Sequence, residues 1–485
     1  QYSYIEVIVM NQKIQPFVGN DRLLLAMVLA VITFWLFAQT MINLAPTIQH
    51  DIGIDAYWMN MAVSITALFS GIFVVVFGGL ADRFGRVKVA MTGIVLNMIG
   101  CLFIILTPHD TAVFLMAGRI IQGLSAACIM PATLALIKTY YDGAHRQRAV
   151  SFWVIGAWGG SGLCSLFGGA VASAFGWDYI FIGSIVVSLL SLFLLKGTPE
   201  SKVESVPTQF DWSGLVSFLV ALVSLNIIIG QGAKLGWTHP VILGLAILFV
   251  VGAIVFFIIE SKNTQPFVDF SLFKNKTYAG ATLSNFLINT TIGTLIVTLA
   301  LLQKGAGKTP FEAGLVTLGY LIAVLATIRV GEKLLQLWGP RKPMIMGCCI
   351  TACGIFINSF SFLYTWQYMI ATVIGFALFG IGLGFYATPS TDAALSNVPQ
   401  DQAGAAAGIY KMASTLGSAF GIALSATIFT ALSTMVDVPF ADLFVGRVDN
   451  IPVRFAAMIA LWFNVCMTLI AITSIIVTVP KNPQN

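Results

Sequence analysis

Fourteen stretches of this 485-residue sequence are each long and apolar enough to cross a lipid bilayer. Roughly 20 apolar helical residues span the hydrocarbon core. The runs fall at 23–46, 58–80, 88–107, 112–136, 148–173, 177–196, 212–231, 239–260, 279–302, 311–330, 343–363, 367–395, 404–433 and 454–479. Inside a bilayer each backbone N–H and C=O needs a partner within its own segment, so runs of this length read as helices. The chain is 58% hydrophobic and only 9% charged, against about a quarter charged in soluble domains. It lacks the charge to cover itself in water, and the expected fold is all-α and integral to the membrane. A net charge of +5 is too small at this length to suggest nucleic acid; the lipid bilayer is the expected partner. Cys101, Cys128, Cys164, Cys348, Cys349, Cys353 and Cys466 all lie in apolar runs, without disulfide or zinc spacing. They read as small packing residues, and neither a metal nor a cofactor is expected.

The connections are short and carry most of the charge. With the N-terminus placed inside, 18 of the 25 Lys and Arg residues fall on the inner side. Lys234, Lys304, Lys308, Arg447 and Arg454 fall outside, and Arg119 and Lys411 fall within spans. The excess of basic residues puts both termini in the cytoplasm. Met10-Asn11-Gln12-Lys13 looks like a natural start, so residues 1–9 read as upstream sequence. The chain then divides into a cytoplasmic segment (1–22), six helices (23–196), two central helices (212–260) and six more (279–480).

The two sets of six are weakly related. The loop from Gly78 to Lys88, with Gly79, Asp82, Arg83, Gly85 and Arg86, is echoed by residues 332–342, where Glu332-Lys333 leads to Gly339-Pro340-Arg341-Lys342. Pro131 is echoed by Pro389. Two related halves are a hallmark of secondary transporters, with the substrate site at their interface. Two nucleotide-like motifs do not fit their contexts. Gly305-Ala306-Gly307-Lys308-Thr309 has Leu302 where a phosphate loop needs its first glycine, and it falls on the outer side. Gly380-Ile381-Gly382-Leu383-Gly384 lies inside a span, where it favours close helix packing. Without a nucleotide site, transport would run on a gradient.

Gly79-Leu80-Ala81-Asp82-Arg83-Phe84-Gly85-Arg86 and Arg119-Ile120-Ile121-Gln122-Gly123 resemble motifs of the major facilitator superfamily, specifically its fourteen-helix drug:proton antiporters. The resemblance covers essentially the whole chain and implies two six-helix halves plus two extra central helices. It implies that Gly79, Asp82, Arg83, Gly85 and Arg86 form a conformational latch, and that Arg119 is tied to proton transfer. The alternatives are a positive-inside turn for the first motif and an arginine held by backbone carbonyls for the second. In the fifth helix Gly160, Gly168 and Gly169 fit the antiporter pattern, but Cys164-Ser165 replaces its usual Gly-Pro. Residues 23–50 contain no acid, whereas many fourteen-helix exporters carry a cation-binding aspartate there. That departure argues against an obligate preference for permanent cations. The runs Ile32–Gln39, Gln122–Thr133 and Gly408–Ser414 resemble the Gram-positive Nor-type quinolone exporters, which implies a bacterial cell membrane.

A coupled carrier needs a group whose protonation changes between its two states. All four histidines lie in loops, and Asp392 is the deepest acid. A buried carboxylate binds its proton more readily and a nearby cation reverses that, so Asp392 is the expected coupling acid, with Arg119 in the other half. The competing reading of Asp392 is a hydrogen-bonded anchor beside Pro389. Glu332, flanked by Arg329 and Lys333, is a weaker coupling candidate and reads better as an interfacial latch. The family resemblance places a substrate cavity among Phe34, Phe37, Gln39, Asn43, Phe69, Gln122, Met130, Trp158, Asn285, Asn289, Tyr320, Phe385, Tyr386 and Tyr410. An apolar pocket with a few polar groups suits flat amphiphilic drugs.

The leading expectation is a proton-coupled multidrug exporter acting on small drug-like molecules such as quinolones. The alternative is a dedicated exporter of one endogenous metabolite. The two-half organisation and the absence of filter rings argue against a channel, and no catalytic motif supports an enzyme. A complete two-half cavity needs no partner chain, so a monomer is expected.

Overall fold

The computed structural model describes residues 16–204, 210–264, 266 and 268–481. The expectation about residues 1–9 lies outside them. The described residues form fourteen membrane-length helices. The first half holds α1 (Asp21–Ile52), α2 (Ala56–Phe84), α3 (Arg86–Ile105), α4 (Val113–Tyr140), α5 (Gly143–Ala174) and α6 (Asp178–Leu195). The central pair is α7 (Trp212–Leu235) and α8 (Pro240–Lys262). The second half holds α9 (Lys276–Lys304), α10 (Glu312–Trp338), α11 (Arg341–Asn358), α12 (Thr365–Ser396), α13 (Ala403–Leu432) and α14 (Ile451–Thr478). Arg341 and Lys342 open α11 and make it the least apolar by composition, yet its Met344, Cys348 and Ile355 are fully buried.

Local chemistry sets the helix ends. The side chains of Asn20, Asp211 and Asn275 each accept a backbone N–H in the first turn that follows, supplying partners to donors that the helix leaves open. Pro240 opens α8, where its missing N–H costs nothing. The loop between α2 and α3 is a single residue, Gly85 at φ 121°, a backbone state that side-chain-bearing residues avoid.

Two helices are irregular midway. In α1, Thr33–Phe37 takes a π-turn followed by a tight 3-10 turn at Ala38–Thr40. In α5, Ile155–Gly159 takes a π-turn. π-turns recur at functional sites. The helix that lacks the antiporter proline thus carries a different irregularity just before Gly160.

The central pair sits to one side. In α7, Leu215, Phe218 and Leu222 pack in a cluster with Val74 and Val75 of α2 and Ile409 of α13. Only Ile242, Gly252 and Glu260 of α8 are buried, so most of its apolar surface is left for lipid.

Candidate functional site

The two halves are tied together at the end of the bundle that carries the α2–α3 and α4–α5 connections, called here the basic end. Asp82, near the end of α2, accepts hydrogen bonds from the N–H groups of Gly404 (2.7 Å) and Ala405 (2.9 Å). These are the first residues of α13, so the carboxylate caps a helix N-terminus in the opposite half, where the helix dipole favours negative charge. Arg86 donates Nε and Nη2 to the same carboxylate (3.1 and 2.9 Å) and Nη1 to Thr139 and Ser201. It also donates to the Gln400 carbonyl just ahead of α13. Arg83 lies over the Phe210 ring at 5.0 Å. Glu200 accepts from the N–H groups of Val87 and Lys88 and so caps α3.

Gly78 stands at the close approach of α2 to α13. A Cβ on Gly78 would stand 2.3 Å from the Gly404 carbonyl oxygen, and one on Gly404 would stand 2.4 Å from that of Gly78. Either methyl would force the helices apart at the latch.

Asp392, at the basic end of α12, pairs with Arg146 in the first turn of α5 at 2.8 Å. Their side chains are 5% and 17% exposed, so the pair is nearly withdrawn from water while joining the two halves. Glu332 in α10 is buried and pairs with Arg329 at 2.6 Å. The Arg329 guanidinium lies 4.7 Å above Phe152 of α5, a second bridge between the halves. Asp392 and Glu332 therefore both stand at the basic end, each beside an arginine.

Arg119 is elsewhere. It is fully buried inside the first half, donating to the carbonyls of Ala62 (2.9 Å) and Ala38 (2.8 Å) and to Gln122 Oε1 (2.9 Å). Among the described residues no carboxylate pairs with it. This geometry ties α1, α2 and α4 together, with the guanidinium held by two backbone carbonyls and one amide oxygen.

The expected cavity residues divide. Phe34, Phe37, Gln122, Met130, Asn285, Tyr386 and Tyr410 are buried. Gln39, Phe69, Trp158, Asn289, Tyr320 and Phe385 are half-buried, and Asn43 is exposed. The Gln122 amide is engaged by Arg119 and the Cys101 thiol, so it faces the interior of its own half. In the second half a polar network joins α9, α12 and α13. Ser284, Tyr386, Ser390, Thr391 and Tyr410 are linked hydroxyl to hydroxyl at 2.6–3.2 Å, and Asn285 donates to the Tyr410 carbonyl and Ser414. This chain ends at Thr391, next in sequence to Asp392. A surface groove of about 470 Å³ between α9 and α14, lined by Leu283, Leu469, Ile470 and Val477, includes none of the expected residues. It faces where lipid would lie.

Sequence reasoning missed Arg146, Thr139, Gly404 and Gln400, all partners that the ends of distant helices bring to the basic end. Arg146 had been only one of several inner-side basic residues. The run of small residues from Ala403 to Gly408 was the available signal that another helix approaches the start of α13.

Two six-helix halves, a central pair and a charged clasp at one end define a polytopic membrane carrier. The Major Facilitator Superfamily model matches residues 23–422 and, in a second overlapping stretch, 281–484. The chain belongs to the Major Facilitator Superfamily and is a multi-pass transporter of a bacterial membrane. It is 49% identical over 468 residues to the quinolone resistance protein NorB of Staphylococcus aureus strains MRSA252 and COL, covering 96% of this chain and 97% of the relative. Its fold is similar to that of the proton:xylose symporter XylE bound to 6-bromo-6-deoxy-D-glucose, with TM-score 0.65 at 17% identity over 95% and 96% of the two chains. It is also similar to that of a bacterial homologue of the iron transporter ferroportin, with TM-score 0.61 at 12% identity over 93% and 98%.

Proposed function

We propose that this chain exports amphiphilic drugs, quinolones among them, in exchange for protons by alternating access. The observation that carries the reading is its 49% identity to quinolone resistance protein NorB across nearly the full length of both chains. The loop charges support cytoplasmic termini, which makes the basic end the cytoplasmic end.

On that orientation a sequence of events follows from the site. With Asp392 ionised, its pair with Arg146 and the cap that Asp82 provides to α13 hold the cytoplasmic end shut. Protonating Asp392 removes one charge of the cross-half pair and weakens the clasp. The cytoplasmic end then opens, Asp392 meets cytoplasmic water, and the proton leaves as drug enters. Reformation of the pair closes the end again and commits the drug to the outside. The hydroxyl chain from Ser284 to Thr391 gives a proton a polar route toward Asp392. Asp82, Arg86 and the Gly78–Gly404 contact act as the latch, while Glu332 and Arg329 act as a second brace. A monomer suffices, because the clasp and the polar network both lie within one chain.

The test is transport of a fluoroquinolone and a lipophilic cationic dye by protein in liposomes under an imposed pH gradient. Gradient-dependent movement of the fluoroquinolone is expected. Folded protein that moves neither compound, yet exchanges a single cellular metabolite, would replace this reading with the dedicated exporter.

A further inference from the structure

Lys411 lies in the first third of α13, within the Gly408–Ser414 run, and is only 8% exposed. Its Nζ forms no hydrogen bond or ion pair among the described residues. Its Nζ instead faces two indole rings of the opposite half, 5.2 Å from the centroid of Trp153 in α5 and 6.0 Å from that of Trp35 in α1. Attraction between a cation and an aromatic face is worth roughly 0.5–2 kcal/mol, well short of the several kcal/mol that burying a lone ammonium costs. The nearest acids do not make up the difference: α1 has none beyond its first residue until Asp51, while Asp392 and Glu332 are each engaged by an arginine.

A second group beside it also lacks a partner. Trp35 Nε1 is buried with no acceptor within reach, although buried indole N–H groups are ordinarily hydrogen-bonded. The Trp153 Nε1, by contrast, donates to Thr133 at 2.9 Å, which fixes that ring as a wall. Trp35 sits within the α1 π-turn, and Gly160, directly after the α5 π-turn, packs against its backbone. Both irregular turns thus frame one spot where an ammonium and an indole N–H, contributed by opposite halves, have donors and no acceptor.

We infer that Lys411 and Trp35 form an anion subsite that receives the carboxylate of an aromatic substrate, whose ring system stacks on the indoles. The inference deepens the drug-export reading and rests on it for the identity of the ligand: a quinolone carries a carboxylate on a flat ring system. The carboxylate supplies the missing acceptor to both donors, and the pairing draws α13 of one half toward α1 and α5 of the other. Substrate and closure are thereby coupled at the half interface. The same cation repels permanently cationic drugs from this spot, consistent with the missing acid in α1.

The test compares binding of norfloxacin and its methyl ester to the purified full chain, alongside 2-naphthoic acid and its methyl ester. The wild-type protein is expected to favour each acid over its ester by about tenfold, the scale of one charge-assisted hydrogen bond. Lys411→Met should abolish that preference, Lys411→Arg should keep most of it, and Trp35→Phe, which retains the ring, should lose part of it. Equal binding of acid and ester by the wild-type protein, or an equal loss of both on Lys411→Met, overturns the subsite. A preference for naphthoic acid without any norfloxacin binding keeps the subsite and overturns the quinolone reading instead.

Discussion

Arg146 Nε and Asp392 Oδ1 stand 2.8 Å apart, and theirs is the one ion pair among the described residues that joins the two six-helix halves. Breaking a buried pair by removing one partner typically costs about 3–5 kcal/mol, because the other charge is left stranded. Arg146→Gln is therefore expected to loosen the basic end, whereas the exchange Arg146→Asp with Asp392→Arg should recover part of the loss. Spin labels on the exposed residues Phe84 and Asp401, which flank the clasp, read the change as a longer distance population in Arg146→Gln. Unchanged distances would remove the pair from the closing mechanism.

Asp82 contributes through a helix end rather than through a cation alone. Asp82→Asn keeps the side chain's size and one acceptor oxygen but loses the charge that the α13 N-terminus favours. About 1–2 kcal/mol is expected for a charge at a partly buried helix terminus, a shift of roughly tenfold in the balance of open and closed states. The same pair of spin labels measures it, and an effect in the opposite direction would contradict the assignment.

Gly78→Ala tests the steric part of the clasp. The added methyl would meet the Gly404 carbonyl oxygen at 2.3 Å, a separation that only displacement of α13 relieves. Transport should fall by at least about tenfold, the consequence of about 1.4 kcal/mol of misfit. Unchanged transport would contradict the assigned close approach.

Asp211, ahead of α7, predicts a pH dependence of stability. Burial pushes its carboxyl up, but the Glu260 side chain, the Gly214 N–H, the Ser213 hydroxyl and Asn263 outweigh that and hold it at about 2. A depressed folded value means the stabilisation is fully present above about 3.8 and is lost as pH falls through about 2. Asp211→Ala should thus lower the stability by a constant amount between pH 5 and 8, on the order of 1 kcal/mol for a lost helix cap. A difference between the variants that grows or vanishes within that range would contradict it.

How far the sequence alone reaches depends on the range of the interaction. Hydrophobic run length is local, so the helix ends fall within about five residues of their expected places, except that α1 runs on to Ile52 rather than 46 and α10 to Trp338 rather than 330. The pairing of Asp82 with Arg86 was legible because the two are neighbours on one helical turn and its continuation. Their partners Gly404 and Gln400 lie more than 300 residues away, and no local pattern marks them. Arg119 was visible as a costly mid-span charge, but that cost is met by carbonyls of Ala38 and Ala62, which every residue offers and no sequence motif advertises. The π-turns escaped notice for a related reason: one extra residue in a helical turn leaves the apolar pattern nearly intact. Lys411 was counted with the charges and given no role, since its aromatic surroundings come from two helices in the other half.

The most direct test of the account is fluoroquinolone transport by Asp392→Asn protein in liposomes, measured in two modes. Exchange of labelled for unlabelled drug without a gradient should persist, because the asparagine stands in for the protonated acid and the Asp82 cap on α13 remains to close the end. Accumulation driven by an imposed pH gradient should fall to the level of empty liposomes. Full gradient-driven accumulation by Asp392→Asn would contradict the claim that this carboxylate couples the proton to the movement of the halves.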